Sequence, residues 1–136
     1  MVNIFARNEK SREVCEVFIE CLRDYPLFSQ DHSVLSGFHS GGLSVSYWTV
    51  ESQQEVNQTK LDIQLYEKIG DVLYFNIRND LRRQGFGRSL YGSVERFFSE
   101  MGCGYVVTNP SGQGREGFWE KMGFIEESEF KWTKVL

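Results

Sequence analysis

Leu81-Arg82-Arg83-Gln84-Gly85-Phe86-Gly87-Arg88-Ser89 is the stretch from which the fold of this 136-residue chain is read. Before it stands the apolar run Val72-Leu73-Tyr74-Phe75-Asn76-Ile77, too short for a helix and rich in strand formers. After it, Leu90, Val94, Phe97, Phe98 and Met101 recur at helical spacing. A strand therefore delivers arginines and glycines to the first turn of an amphipathic helix. A helix start carries unpaired N–H groups and partial positive charge, which suits an anion. Gly85 and Gly87 let the backbone turn sharply and leave no Cβ in the way of a ligand. Arg82, Arg83 and Arg88 add fixed positive charge suited to phosphate. The local chemistry points to a pyrophosphate-bearing ligand seated on this turn.

Composition sets the frame. A chain of 136 residues with 40% hydrophobic content is expected to form one domain, residues 1–136, with a sizeable core. The net charge of -4 gives no support for a nucleic-acid partner, which wants a basic face. Cys15, Cys21 and Cys103 make an odd count without a CxxC pair, so core filling in a reducing compartment is expected, with no metal and no disulfide framework. There is no apolar span of roughly 18 residues, the length a membrane helix needs. Arg7 and Lys10 precede any long apolar run, which argues against a signal peptide. The expectation is a cytoplasmic protein with no membrane partner.

Along the chain, Val2, Ile4 and Ala6 alternate as a short first strand, and a core-packing helix is expected from about Ser11 to Asp24, stopped by Pro26. Leu27 to Gly42, with His32 and His39, reads as an irregular loop whose histidines are surface residues rather than metal ligands. Leu43–Val50, Leu61–Leu65 and Val72–Ile77 read as three antiparallel strands, with Lys68 to Asp71 as the turn into the third. A helix from about Gly87 ends at Gly102, and Gly92 inside it predicts a close packing contact that excludes a side chain. Tyr105–Thr108 is the next strand, and strand–helix–strand from Val72 to Thr108 makes a right-handed parallel crossover. A short helix from Arg115 to Met122 and a last strand from Glu129 to Val135 complete the chain. The predicted fold is mixed α/β (α+β): a mostly antiparallel sheet with a central parallel βαβ pair and flanking helices.

The glycine turn then narrows the ligand. A P-loop requires GxxxxGK[ST], and here Arg88 follows Gly87 with no lysine before Ser89. A dinucleotide fingerprint requires GxGxxG, but Leu90 stands at the third position and the chain is too short for two mononucleotide halves. What is left is Arg82-x-x-Gly85-x-Gly87 after an antiparallel strand. This turn resembles the R/Q-x-x-G-x-G/A signature of the GNAT-type N-acetyltransferase superfamily. Gly117-Phe118-Trp119-Glu120-Lys121-Met122-Gly123-Phe124 is similar to that family's second block. The resemblance covers Val72 to Phe124.

The resemblance implies an enzyme that transfers an acetyl group from acetyl-CoA to a primary amine of a small molecule, peptide or protein, without a metal. It implies that backbone N–H groups of Arg83, Gln84, Gly85, Phe86, Gly87 and Arg88 hold the pyrophosphate of coenzyme A, with Arg82 beside them and Ser89 adding a hydroxyl. It implies that Phe75 and Ile77 pair with the pantetheine arm, which hydrogen-bonds like a strand. Asn109 falls where the family often uses an asparagine, and serves equally well as a loop-start residue before Pro110. Family members are often dimers, which makes a homodimer an expectation.

Two features depart from the pattern. Trp119 stands where many members carry a tyrosine that protonates the departing thiolate, and an indole N–H cannot deliver a proton at neutral pH. Either Trp119 packs against the cofactor and another group or solvent protonates the thiolate, or the protein is a non-catalytic coenzyme A-binding module. Ser111-Gly112-Gln113-Gly114-Arg115 replaces the usual approach to the short helix and reads as a connector or as a second anion-binding nest near the nucleotide. No general base is identifiable among Asp62, Glu67, Asp71 and Asn76, and Glu126, Glu127 and Glu129 read as an exposed face or as a lure for a cationic acceptor.

Overall fold

The computed structural model describes residues 2–27, 31–39, 41–50, 58–110 and 115–136. Strand β1 (Val2–Ala6) leads into helix α1 (Glu9–Cys21). The helix begins earlier than its apolar periodicity indicates because Asn8 caps it, its side chain accepting from the Ser11 N–H at 2.8 Å. Its buried face is Val14, Cys15, Phe18 and Cys21, so two of the three cysteines fill the core as expected. All three cysteines are free, and burial pushes each thiol above its ordinary pKa.

Four antiparallel strands follow: β2 (His32–His39), β3 (Gly42–Thr49), β4 (Lys60–Tyr66) and β5 (Ile69–Asn76). The sequence reading had a loop where β2 stands, and that is corrected. The segment is poor in alternating apolar residues, yet it pairs with β3 from His32↔Thr49 to His39↔Gly42. Its buried positions include His32, Ser33 and Ser36, polar residues that a hydrophobic pattern does not mark. His32 is therefore a core residue, its ring 3.2 Å from the Tyr47 hydroxyl. Burial holds its pKa below the ordinary histidine value.

Strand β5 also begins earlier than read. The turn is only Glu67 and Lys68, both at positive φ (47° and 67°), and Tyr66 pairs directly with Ile69. Gly70 is part of the strand rather than the turn. A Cβ there would lie 2.6 Å from the Phe98 ring, so the glycine is the seat on which the next helix rests.

A 3-10 turn (Asn79–Leu81) leads to α2 (Phe86–Glu100), then come β6 (Tyr105–Thr108), α3 (Glu116–Lys121) and a hairpin of β7 (Ile125–Ser128) and β8 (Lys131–Val135). The sequence reading had one strand at the C-terminal end; there are two, because Ser128 to Lys131 is a tight connection and β7 is exposed throughout, without a buried alternation to reveal it. The strands form one sheet in the order β1-β2-β3-β4-β5-β6-β8-β7. The β1–β2 and β5–β6 pairs are parallel, and the others are antiparallel. The expected mixed sheet and its central parallel pair are thus present.

Helices α1 and α2 pack against each other through Phe18 and Phe97, whose rings meet edge to face at 5.2 Å. Val45, Tyr47, Leu61, Ile63 and Val72 from alternating sheet positions join Leu90, Val94, Phe97 and Phe98 in the core. Lys134 on β8 reaches Glu95 on α2 at 2.8 Å and ties the last strand to the same helix. Gly92 overturns one expectation: it is exposed, and a Cβ there would meet nothing within 4 Å. No close packing requires that glycine.

Candidate functional site: a split in the sheet beside the glycine turn

Two local irregularities build the site. The first is a bulge in β5. Asp62 pairs with Tyr74 and Ile63 with Val72, so Leu73 has no partner on β4. Inserting one residue shifts the side-chain alternation, which is why Val72 and then Phe75 are both buried while Leu73 and Tyr74 between them are exposed.

The second irregularity is the end of β6. The parallel ladder runs from Ile69↔Tyr105 to Val72↔Thr108 and stops, while β5 continues along β4 as far as Asn76. Residues 73–76 therefore keep one backbone edge without a strand on the β6 side. At the base of this split the Thr108 hydroxyl donates to the Val72 carbonyl at 3.1 Å.

The split opens into a cleft of about 510 Å³ lined by Phe75 and Ile77 from the strand, Arg82, Arg83, Gly85, Gly87 and Arg88 from the turn, and Arg115, Gly117, Phe118, Lys121 and Met122 from the other side. In the turn, Arg83 and Gly85 take φ of 61° and 85° while Gln84 between them does not. Backbone of alternating hand makes successive N–H groups converge on an anion. Among the described residues the N–H groups of residues 83–88 have no acceptor, and the first bond of the helix is from the Ser89 N–H to the Gly85 carbonyl. Gly87 lies against the aromatic wall, since a Cβ there would come within 3.3 Å of Phe118.

The cleft is strongly basic. Arg82, Arg83, Arg88, Arg115 and Lys121 line it, and none has a carboxylate partner among the described residues. Two of these cations converge on Asn76. Its Oδ1 accepts from the Arg82 guanidinium at 2.7 Å and from Arg115 at 3.1 Å. Arg82 also donates to the Ile77 carbonyl at 3.0 Å, and Arg115 to the Phe75 carbonyl. Burial and then the neighbouring Arg82 charge lower the pKa of Arg115, a sign that its cation is poorly solvated there.

Seven of the twelve residues singled out from the sequence line the cleft: Phe75, Ile77, Arg82, Arg83, Gly85, Gly87 and Arg88. Gln84, Phe86 and Ser89 belong to the same turn, where the Gln84 side chain donates back to the Asp80 carbonyl at 3.0 Å. Asn109 is exposed just beyond β6 and is not among the lining residues. Trp119 lies elsewhere. It is 2% exposed, enclosed by Phe75, Tyr91, Phe118 and Phe124 at ring distances of 5.6, 5.5, 5.0 and 5.1 Å. The cleft wall at this helix is Phe118 together with Lys121 and Met122, three and four positions on. The spacing of Phe118, Lys121 and Met122 is present in the sequence and places the three on one face of the helix. Residues 111–114 of the suspected second anion nest lie outside the described residues; Arg115, at its end, is in the cleft.

Residues 59–124, just under half of the chain, match the family model described as Acetyltransferase (GNAT) family. This segment belongs to the GNAT acetyltransferase family. The fold agrees across a longer stretch. An acetyltransferase from Bacillus cereus superposes with a TM-score of 0.56 at 16% identity over 68% of this chain and 74% of that one. GCN5 from Tetrahymena gives 0.55 at 12% identity over 91% and 86%. The PaiA N-acetyltransferase from Thermoplasma acidophilum, solved in complex with coenzyme A, gives 0.52 at 14% identity over 71% and 62%. A comparison with curated proteins found no significant match. At these identities the solved structures establish the GNAT fold of this chain. No helix among the described residues is long and apolar enough to cross a membrane.

Proposed function

We propose that this GNAT protein transfers an acetyl group from acetyl-CoA to a primary amine of a small molecule, peptide or protein. The observation that carries the reading is the juxtaposition of a free strand edge with a basic glycine turn. Residues 73–76 of β5 lack a β6 partner, and the turn of residues 83–88 stands at the open end of that gap. A ligand with an amide-bearing arm and a pyrophosphate head matches this pair of features in order: backbone pairing for the arm, converging N–H groups and arginines for the head.

Acetyl-CoA would supply an activated thioester at the end of that arm. The arm runs from the turn toward the closed base of the split, so its reactive end falls near the bulge at Leu73, where Thr108 meets Val72. A backbone N–H of β5 at this level is placed to stabilise negative charge developing on the thioester oxygen. The acceptor amine attacks that carbonyl from the sheet face opposite α2, the side on which Tyr74 and Asp62 stand as a cross-strand pair. Since Trp119 is enclosed in the core, solvent in the cleft is assigned both proton transfers, taking the proton that the attacking amine loses and returning one to the departing thiolate.

Isothermal titration with acetyl-CoA tests the reading. We expect saturable binding, and its loss in a Gly85→Glu, Gly87→Glu double variant, whose side chains and charge would fill the anion seat. Absence of binding by the parent protein at millimolar acetyl-CoA overturns it. Release of free thiol with any member of an amine, peptide and aminoglycoside panel then separates catalysis from coenzyme A binding alone.

A further inference from the structure

Arg115 holds a position that the arm of the ligand would need. It precedes α3, and its guanidinium donates to the Phe75 carbonyl and to Asn76 Oδ1, reaching the stretch of β5 that β6 leaves uncovered. It thereby stands in for a strand partner. Arg82 braces the same point through Asn76 Oδ1 and the Ile77 carbonyl. Two guanidinium groups thus share one amide oxygen and two backbone carbonyls, with no carboxylate bound to either among the described residues. Like charges held this close on neutral acceptors are poised to exchange those acceptors for an anion, because a hydrogen bond between two ions is the stronger one.

We propose that Arg115 is a specificity-determining residue that covers the arm-binding edge of β5 until a pyrophosphate on the adjacent turn draws its guanidinium away, so that the site admits coenzyme A thioesters and disfavours thioesters of bare pantetheine. The inference rests on the coenzyme A reading of the site. Arg115 and the turn residues Arg83, Gly85 and Arg88 line the same cleft, so its guanidinium borders the space that a pyrophosphate on the turn would occupy. A pyrophosphate offers Arg115 a charged, bidentate partner in exchange for what it gives up. Pantetheine alone carries no charge to do this and must break the Arg115 contacts at its own expense, which lowers its apparent affinity by the fraction of time the edge is open.

The test titrates the parent protein and an Arg115→Ala variant with coenzyme A and with pantetheine, both followed calorimetrically. In the variant, pantetheine should bind roughly fivefold to thirtyfold more tightly, the equivalent of about one or two hydrogen bonds no longer broken. Coenzyme A should bind no more tightly than to the parent. A variant-free arm uses the parent protein alone: saturating inorganic pyrophosphate should raise its affinity for pantetheine. Pantetheine affinity that is unchanged or weaker in Arg115→Ala, or that pyrophosphate leaves unchanged or lowers, overturns the role of Arg115 while coenzyme A binding by the parent upholds the site. Failure of the parent to bind coenzyme A at all overturns both. The fold of the variant is checked by circular dichroism, and Arg115→Gln, shorter and uncharged, repeats the measurement and should likewise tighten pantetheine binding.

Discussion

The Thr108 hydroxyl donates to the Val72 carbonyl at 3.1 Å, at the last rung of the β5–β6 ladder. Above this rung the two parallel strands separate, and below it they are paired as far as Ile69 and Tyr105. A buried side-chain hydrogen bond thus marks where the sheet stops being continuous and the cleft begins.

Thr108→Val keeps the shape of that side chain and removes its hydroxyl. Thr108 is only 5% exposed, so the Val72 carbonyl loses a buried donor without gaining water. The expected cost is about 1–2 kcal/mol in chemical denaturation, from a buried acceptor left short of its partner. A variant as stable as the parent would show that the ladder holds the base of the split unaided.

Trp119 is expected to act on stability. Four aromatic rings enclose it, and it bridges α3 to α2 through Tyr91 and to β5 through Phe75. Trp119→Ala should cost about 3–5 kcal/mol by opening a large buried cavity. Trp119→Phe, which retains most of the ring contacts, should cost markedly less. Equal losses in the two variants would contradict a packing role. Urea unfolding of both variants under identical conditions makes the comparison.

Gly92→Ala should stabilise the protein. The position is exposed in the interior of α2, and the added Cβ would meet nothing within 4 Å. Replacing glycine by alanine in such a place gains about 0.5–1 kcal/mol, mainly by restricting the unfolded chain. Thermal unfolding should therefore shift upward; a downward shift would mean that the helix surface here is engaged in a contact.

Asp71 gives the protein a pH dependence whose sign follows from its burial. Its carboxyl is pushed above the ordinary value by burial, an effect partly offset by the hydrogen bond it accepts from Tyr66. The groups facing it are Gln64, its partner on β4, then Tyr66 and, on β6, Val107 with Tyr105 nearby; Lys131 acts on Tyr66 from β8. A carboxyl whose folded pKa is raised binds more protons folded than unfolded. Its contribution to stability is therefore greatest below the unfolded value and declines as pH rises through the folded one. Asp71→Asn removes that decline. The variant should gain stability relative to the parent as pH rises above the ordinary carboxyl value of about 4, as read from denaturant midpoints across the range. A parent whose stability rises through this window, with the variant flat, would reverse the assignment.

Much of the site was legible before any coordinates because its parts are contiguous. Arg82 to Ser89 is one turn, and the residues that must be glycine there announce themselves by being glycine. The strand before the turn is a short apolar run and the helix after it has helical spacing, two signals that no tertiary contact needs to reveal. Strand β2 was not legible, because His32, Ser33 and Ser36 are buried by pairing with β3 and not by their own hydrophobicity. Gly70 reads as a turn residue and Gly92 as a packing contact, whereas the first lies in β5 under Phe98 and the second faces open space on α2.

By itself the sequence determined the parallel crossover from Val72 to Thr108 and the glycine turn that opens its helix, since each depends on spacing along a few neighbouring residues; it did not mark β2 or β7. Tertiary structure alone decided that Leu73 is a bulge, that β6 ends four residues before β5 does, that Phe118 rather than Trp119 lines the cleft, and that Arg115 lies across its free edge. Each of these is a matter of register between segments far apart in the chain. Register is set by which faces pack and where a ladder runs out, quantities that belong to two strands at once and are written in neither.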